Sequence, residues 1–132
     1  MAAEVSLGKS LKLWLPVIIW AGLIFYFSGI SDLKTGFKFD FILRKLSHVV
    51  EYLILTFLLY RAFAGSFDIN TARLFIYPAG LSFVYAVTDE LHQSFVPGRN
   101  CNIQDILIDG IGILSFYIIN ILIFRNIKKI LS

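Results

Sequence analysis

Long apolar runs, no alternating pattern and ionisable side chains gathered at matching ends of those runs predict an all-α, polytopic membrane protein. The expected architecture is a four-transmembrane-helix bundle with a polar pocket at one membrane face. Of the 132 residues, 58% are hydrophobic, and aromatic residues at 16% equal the charged ones. Soluble proteins average about 25% charged residues, and a water-soluble fold of this length could not cover so much apolar surface. Runs this long without a period of two favour helices over strands.

The first run covers residues 13–30, broken only by Pro16, Gly22, Ser28 and Gly29. The second covers residues 47–64, the third 74–87 and the fourth 106–124. A bilayer core needs about 20 helical residues. The third run reaches that length only if the polar stretch 88–93 extends the helix to the interface. We therefore expect one domain over residues 1–132, with spans at approximately 11–30, 47–64, 72–91 and 105–125. Residues 31–45 form a polar loop, residues 65–73 a tight turn, and Pro97, Gly98, Arg99 and Asn100 a strong turn pattern.

The charge is modest, +3. Basic residues flank the apolar runs, which reads as membrane-flank charge and not as a nucleic-acid surface, so no nucleic-acid partner is expected. Cys101 is the sole cysteine, which excludes an internal disulfide. The first 13 residues hold Glu4, Lys9 and Lys12 without a small-residue cleavage pattern, so no cleavable signal peptide is expected. With four antiparallel spans, Lys9, Lys12, Arg61, Arg73, Arg125, Lys128 and Lys129 share one side. Lys34, Lys38, Arg44, Lys45 and Arg99 share the other. Seven against five places the termini in the cytoplasm and the polar pocket outside it, in a multi-pass protein of the cell membrane.

The polar residues carry the functional argument. An ionisable side chain within an apolar span costs several kcal/mol unless paired, hydrated or metal-bound, and marks a functional site by default. Lys45, His48, Glu51 and Tyr52 recur at helical spacing and line one stripe of the second helix. Asp89, Glu90, His92 and Gln93 close the third, and Asp105 and Asp109 share a face at the start of the fourth. We take His48, Glu51, Asp89, Glu90 and His92 as candidate catalytic residues. Lys45, Gln93, Arg99, Asp105 and Asp109 are the candidate substrate-binding residues. Asp105 has a plainer reading as the helix N-cap, and Arg99 as a neutralising partner for Asp89 or Glu90. Gly110, Gly112, Ala62 and Ala64 offer small surfaces for close helix approach.

Five acids in this set face Arg44, Lys45 and Arg99, which leaves two uncompensated negative charges. A divalent metal, two protonated histidines or protons retained on the carboxyls would each balance them. Mixed imidazole and carboxylate ligands suit zinc, manganese or iron(II), whereas magnesium and calcium prefer oxygen alone. No nucleophile elbow, His-Glu-Xaa-Xaa-His pair or phosphate-binding loop is present. Any chemistry would be acid–base or metal-assisted attack by water.

Lys45-Xaa-Xaa-His48-Xaa-Xaa-Glu51-Tyr52, the block from Asp89-Glu90-Leu91-His92-Gln93 to Pro97-Gly98-Arg99, and Asp105-Xaa-Xaa-Xaa-Asp109-Xaa-Xaa-Gly112 together resemble the VanZ-like family of small integral membrane proteins. Phe27-Ser28 is similar too, and the resemblance covers roughly residues 11–124. It implies a membrane protein of the cell envelope and a link to antibiotic resistance, since the family's namesake is associated with low-level teicoplanin resistance. It implies no particular reaction. The family more often has Asn where this chain has Asp109, which suits a hydrogen-bonding role there.

Two functions remain open at this level, so the sequence does not decide whether the chain is an enzyme. One is an envelope enzyme acting at the outer leaflet on a lipid-linked or cell-wall substrate with an anionic head group. The alternative is a non-catalytic binding or accessory protein that sequesters a lipid head group or glycopeptide. A transporter fits less well, because four short spans offer little room for two alternating halves.

Overall fold

A computed structural model describes residues 7–30, 39–99 and 101–131, with the side chains of residues 124–131 excepted. Lys34, Lys38 and Asn100, and the side chains of Arg125, Lys128 and Lys129, therefore lie outside the described residues. Four helices follow in order: α1 (Leu7–Ser28), α2 (Asp40–Ser66), α3 (Thr71–Gln93) and α4 (Ile103–Leu131). No strand occurs among the described residues.

The helix ends follow hydrogen bonding and not hydropathy, which corrects the expected loop over residues 31–45. α2 begins at Asp40, so Asp40, Arg44 and Lys45 stand on its first two turns and not in a loop. Asp40 in the first turn favours this start through the positive end of the helix dipole. Asn70 caps α3 by accepting from the Arg73 amide at 2.9 Å. Asn102, not Asp105, caps α4: its side chain accepts from the Gln104 amide at 2.9 Å. Between them Arg99 N–H donates to the Val96 carbonyl at 3.1 Å, with Gly98 at φ +83°. That is the Pro-Gly turn expected, since the third position of such a turn needs positive φ.

Pro16 lies inside α1 and has no N–H, which leaves the Lys12 carbonyl one turn earlier without its helical donor. Arg61 of α2 supplies the missing bond, donating from Nη2 to the Lys12 oxygen at 2.8 Å. Trp14 Nε1 donates to Ser66 Oγ at 2.9 Å beside it.

The contacts define the topology. Trp14 meets Ser66, and Trp20 Nε1 donates to the Glu51 carbonyl at 3.0 Å, so α1 and α2 are antiparallel. Thr56 pairs with Ser82 and Tyr60 with Phe75, so α2 and α3 are antiparallel. Lys45 meets Asp105, His48 meets Asp109 and Phe57 meets Phe116, so α2 and α4 run parallel. α2 packs on all three other helices, whereas α1 and α4 do not touch among the described residues.

The parallel α2–α4 contact depends on Gly112, where a Cβ would collide with the Val49 carbonyl. Ala62 is wholly buried, while Gly110 has open space beside it and Ala64 is exposed; only the first two of the four small residues serve packing. The core holds Val17, Ile24, Tyr52, Leu55, Leu59, Ala62, Ala86 and Ile113. Two helical segments, Leu7–Ser28 and Ile103–Ile123, are long and apolar enough to cross a membrane.

Candidate functional site

The up-down-up-down order brings the end of α1, the start of α2, the end of α3 and the start of α4 to one end of the bundle. The polar residues of three separate sequence segments collect there.

Two rungs tie α2 to α4. Lys45 Nζ forms an ion pair with Asp105 Oδ1, both side chains partly buried. One turn deeper, His48 Nδ1 lies 2.8 Å from Asp109 Oδ1. His48 is 7% exposed and Asp109 wholly buried. Because the helices run parallel, successive turns of each supply successive rungs, and the i, i+3 and i, i+4 spacings keep the pairs in step.

α3 adds two carboxylates. Asp89 Oδ2 accepts from Gln93 Nε2 at 3.0 Å, one turn apart on one face as expected. Glu90 Oε2 accepts from the Asn102 backbone N–H at 3.1 Å, which clamps the end of α3 to the residue that caps α4. Glu90 is wholly buried and Asp89 nearly so. His48, Glu90 and Asp109 each offer one ligand-type atom within 4.8 Å of the others.

Six buried side-chain atoms among the described residues have no hydrogen-bond partner: Ser28 Oγ, Tyr52 Oη, Asp89 Oδ1, Glu90 Oε1, His92 Nδ1 and Asp109 Oδ2. All six stand at this end. A buried polar atom left with no partner at all costs about 1–3 kcal/mol, so atoms that no protein group reaches mark places where water, an ion or a ligand can bind.

Above the cluster lie two adjoining cavities of about 350 and 240 Å³. They share Arg44, His48, Gln93 and Arg99. Glu51 and Asp89 face the larger, and Lys45 and Asp105 the smaller. His48 thus stands between the cavity and the buried Asp109. Arg99 donates to the Phe27 carbonyl at 3.4 Å and makes no ion pair with Asp89 or Glu90.

Glu90, His92 and Asp109 line neither cavity. The His92 ring instead stacks on Phe25, centroids 4.0 Å apart and planes 20° apart. Three contributors stood outside the candidate site residues. α1 supplies Ile24, Phe27 and Ser28 to the larger cavity, Arg44 sits on its rim, and Asn102 fixes Glu90. Arg44 lies one turn before His48, so helical spacing could have found it; the tertiary approach of α1 and the backbone donor at Asn102 leave no such trace.

The sequence profile of the VanZ/LLP1 family matches residues 13–125, which takes in the whole polar end described above. No curated protein and no solved structure matches the chain.

Proposed function

The chain belongs to the VanZ/LLP1 family, and from that premise we propose that it is a four-span integral membrane protein of the cell envelope that acts on the anionic head group of a lipid-linked substrate. Its domain is the single unit 1–132, its termini are cytoplasmic, and its polar end opens at the outer leaflet. Support for four spans comes from where apolar side chains point. Only 11% of the apolar window of α1 and 22% of that of α4 is buried inside the bundle, whereas the core helix of a soluble protein is mostly buried. α2 and α3 also turn large apolar residues outward, among them Val50, Phe57, Ile76 and Val84. Their ionisable groups His48, Asp89 and Glu90 face inward instead.

The observation that carries the functional reading is the His48–Asp109 pair beneath a cavity rimmed by Arg44 and Arg99. A carboxylate bonded to one imidazole nitrogen fixes the ring and stabilises its protonated form, so the other nitrogen can take a proton from water or a hydroxyl. Arg44 and Arg99 suit a phosphate or carboxylate, since guanidinium groups bind such oxygens in bidentate fashion. In this reading Glu51 and Asp89, at the cavity wall, position the attacking group. Lys45 and Gln93 extend the anion site, and Asp105 holds Lys45 in place.

The test is turnover by the protein in proteoliposomes supplied with phospholipid, lipid-linked pyrophosphate and cell-wall precursor lipids. Conversion of one of them, lost in His48→Gln at unchanged membrane abundance, supports the enzyme reading. Tight binding of the same lipid without conversion supports the alternative, a sequestering or accessory protein. That second reading draws on the full burial of Glu90 and Asp109, neither of which faces the cavity.

A further inference from the structure

Glu90 and Asp109 are both fully buried, and each keeps one carboxylate oxygen with no partner. They belong to different helices, α3 and α4, and His48 reaches between them from α2. Lys45, the nearest lysine on α2, is engaged by Asp105 and does not compensate them. If both carboxyls ionise, this buried pair with one imidazole carries net negative charge in a setting where uncompensated charge is costly, and a bound cation would favour that form.

From this we propose that His48, Glu90 and Asp109 bind one divalent transition metal ion, of the zinc, manganese or iron(II) class. One nitrogen and two carboxylate donors match that class and disfavour magnesium or calcium, which take oxygen alone. Three protein ligands from three helices leave a further coordination position, the arrangement of catalytic rather than structural sites. The ligand-type atoms lie within 4.8 Å of one another. Bonds of roughly 2.0–2.2 Å to a tetrahedral ion set ligand atoms about 3.3–3.6 Å apart. Small side-chain shifts therefore suffice: Glu90 moves inward, and His48 Nδ1 and Asp109 Oδ1, now 2.8 Å apart, separate slightly. Asn102 N–H holds the second oxygen of Glu90, which serves as the outer hydrogen bond that orients a carboxylate ligand. The ion would also neutralise the two unpartnered oxygens, which protein donors do not reach.

The inference rests on the reading above for its place beneath the head-group cavity; with the ion bound, His48 and Asp109 would serve as its ligands, and activation of water would pass from the imidazole to the metal. Its test reads metal content and not turnover, so the two can fail separately. Full-length protein in detergent is stripped with chelator, loaded in turn with zinc, manganese and iron(II), freed of loosely held ions by gel filtration, and analysed for its elements. About one equivalent of one of these metals should stay with the wild type and with Thr88→Ala, a change at an exposed site. Glu90→Gln and Asp109→Asn, close in shape to the residues they replace, should retain less than about a tenth as much. In parallel, chelation should lower the unfolding temperature of the wild type and the same metal should restore it, as required when an ion binds only the folded state. This second measurement needs no variant to fold. Absence of retained metal in the wild type, full retention in folded Glu90→Gln, or an unfolding temperature indifferent to chelator and metal would each overturn the proposal.

Discussion

His48 Nδ1 and Asp109 Oδ1 meet at 2.8 Å across two parallel helices, one turn below the ion pair of Lys45 with Asp105. Adjacent helices in a sequential up-and-down bundle are antiparallel, so a parallel pair must be diagonal neighbours pressed together. α2 and α4 achieve this because Gly112 lets the backbone of one approach the Val49 carbonyl of the other. The geometry of the polar end thus depends on a residue with no polar group.

Gly112→Ala should test that dependence. A methyl group there meets backbone, which cannot rotate away, so we expect a loss of about 1–3 kcal/mol from overpacking. Gly110→Ala, beside open space, should be neutral or slightly stabilising because Ala is the better helix former by about 1 kcal/mol. Thermal unfolding of both variants in detergent checks the contrast. Equal effects would mean that the helices do not approach at Gly112.

Asp109→Ala should act on both stability and function. It leaves the His48 Nδ1 without its partner in a buried site, at a cost of about 1–3 kcal/mol. Asp109→Asn keeps a hydrogen-bonding group and should be the milder change in unfolding temperature. In the proteoliposome assay, Asp109→Ala should lose roughly 100-fold or more, because general acid–base contributions are about 10²–10⁴-fold, whereas Asp109→Asn, which keeps a hydrogen-bonding partner for His48, should lose less. Retained turnover in Asp109→Ala would remove this residue from the machinery.

The Lys45–Asp105 pair is only partly buried, with side chains 22% and 21% exposed, so its contribution should be modest. A double-mutant cycle through Lys45→Met and Asp105→Asn should give a coupling energy of about 0.5–1.5 kcal/mol. High salt should reduce it. Additive effects would mean that the two residues do not interact.

Arg61 and Pro16 should be coupled as well. Arg61→Ala removes the donor to the Lys12 carbonyl and should cost about 1 kcal/mol. In a Pro16→Ala background the helix supplies its own donor, and most of that cost should vanish. The difference in unfolding temperature between the two backgrounds measures it.

Much of this was legible in the residues. Four apolar runs became four helices, and residues 45, 48, 89, 90, 93, 105 and 109 meet at one end because helix order alone dictates it. The spacing of Asp89 and Gln93 also forecast their hydrogen bond. What sequence could not supply were facts of tertiary approach. Asp105 suits a helix N-cap, and only the coordinates assign the cap to Asn102 and pair Asp105 and Asp109 with Lys45 and His48. Of the two readings of Arg99, partner for the acids of α3 or anion-binding group, the first fails, because the turn aims it at the Phe27 carbonyl on the cavity rim. α2 starts early because charged residues interrupt an apolar run without interrupting a helix. α1 has no ionisable residue at this end, so nothing in its composition signals that it walls the cavity.

Cross-linking in native membranes measures the convergence of α2 and α4 most directly. In a Cys101→Ser background, which removes the exposed native thiol, Lys45→Cys and Asp105→Cys are combined and oxidised. An intramolecular disulfide should form readily, while Lys45→Cys combined with Leu107→Cys, whose side chain is 65% exposed on α4, should not react. Cross-linking of the second pair in preference to the first would contradict the shared polar end on which the site depends.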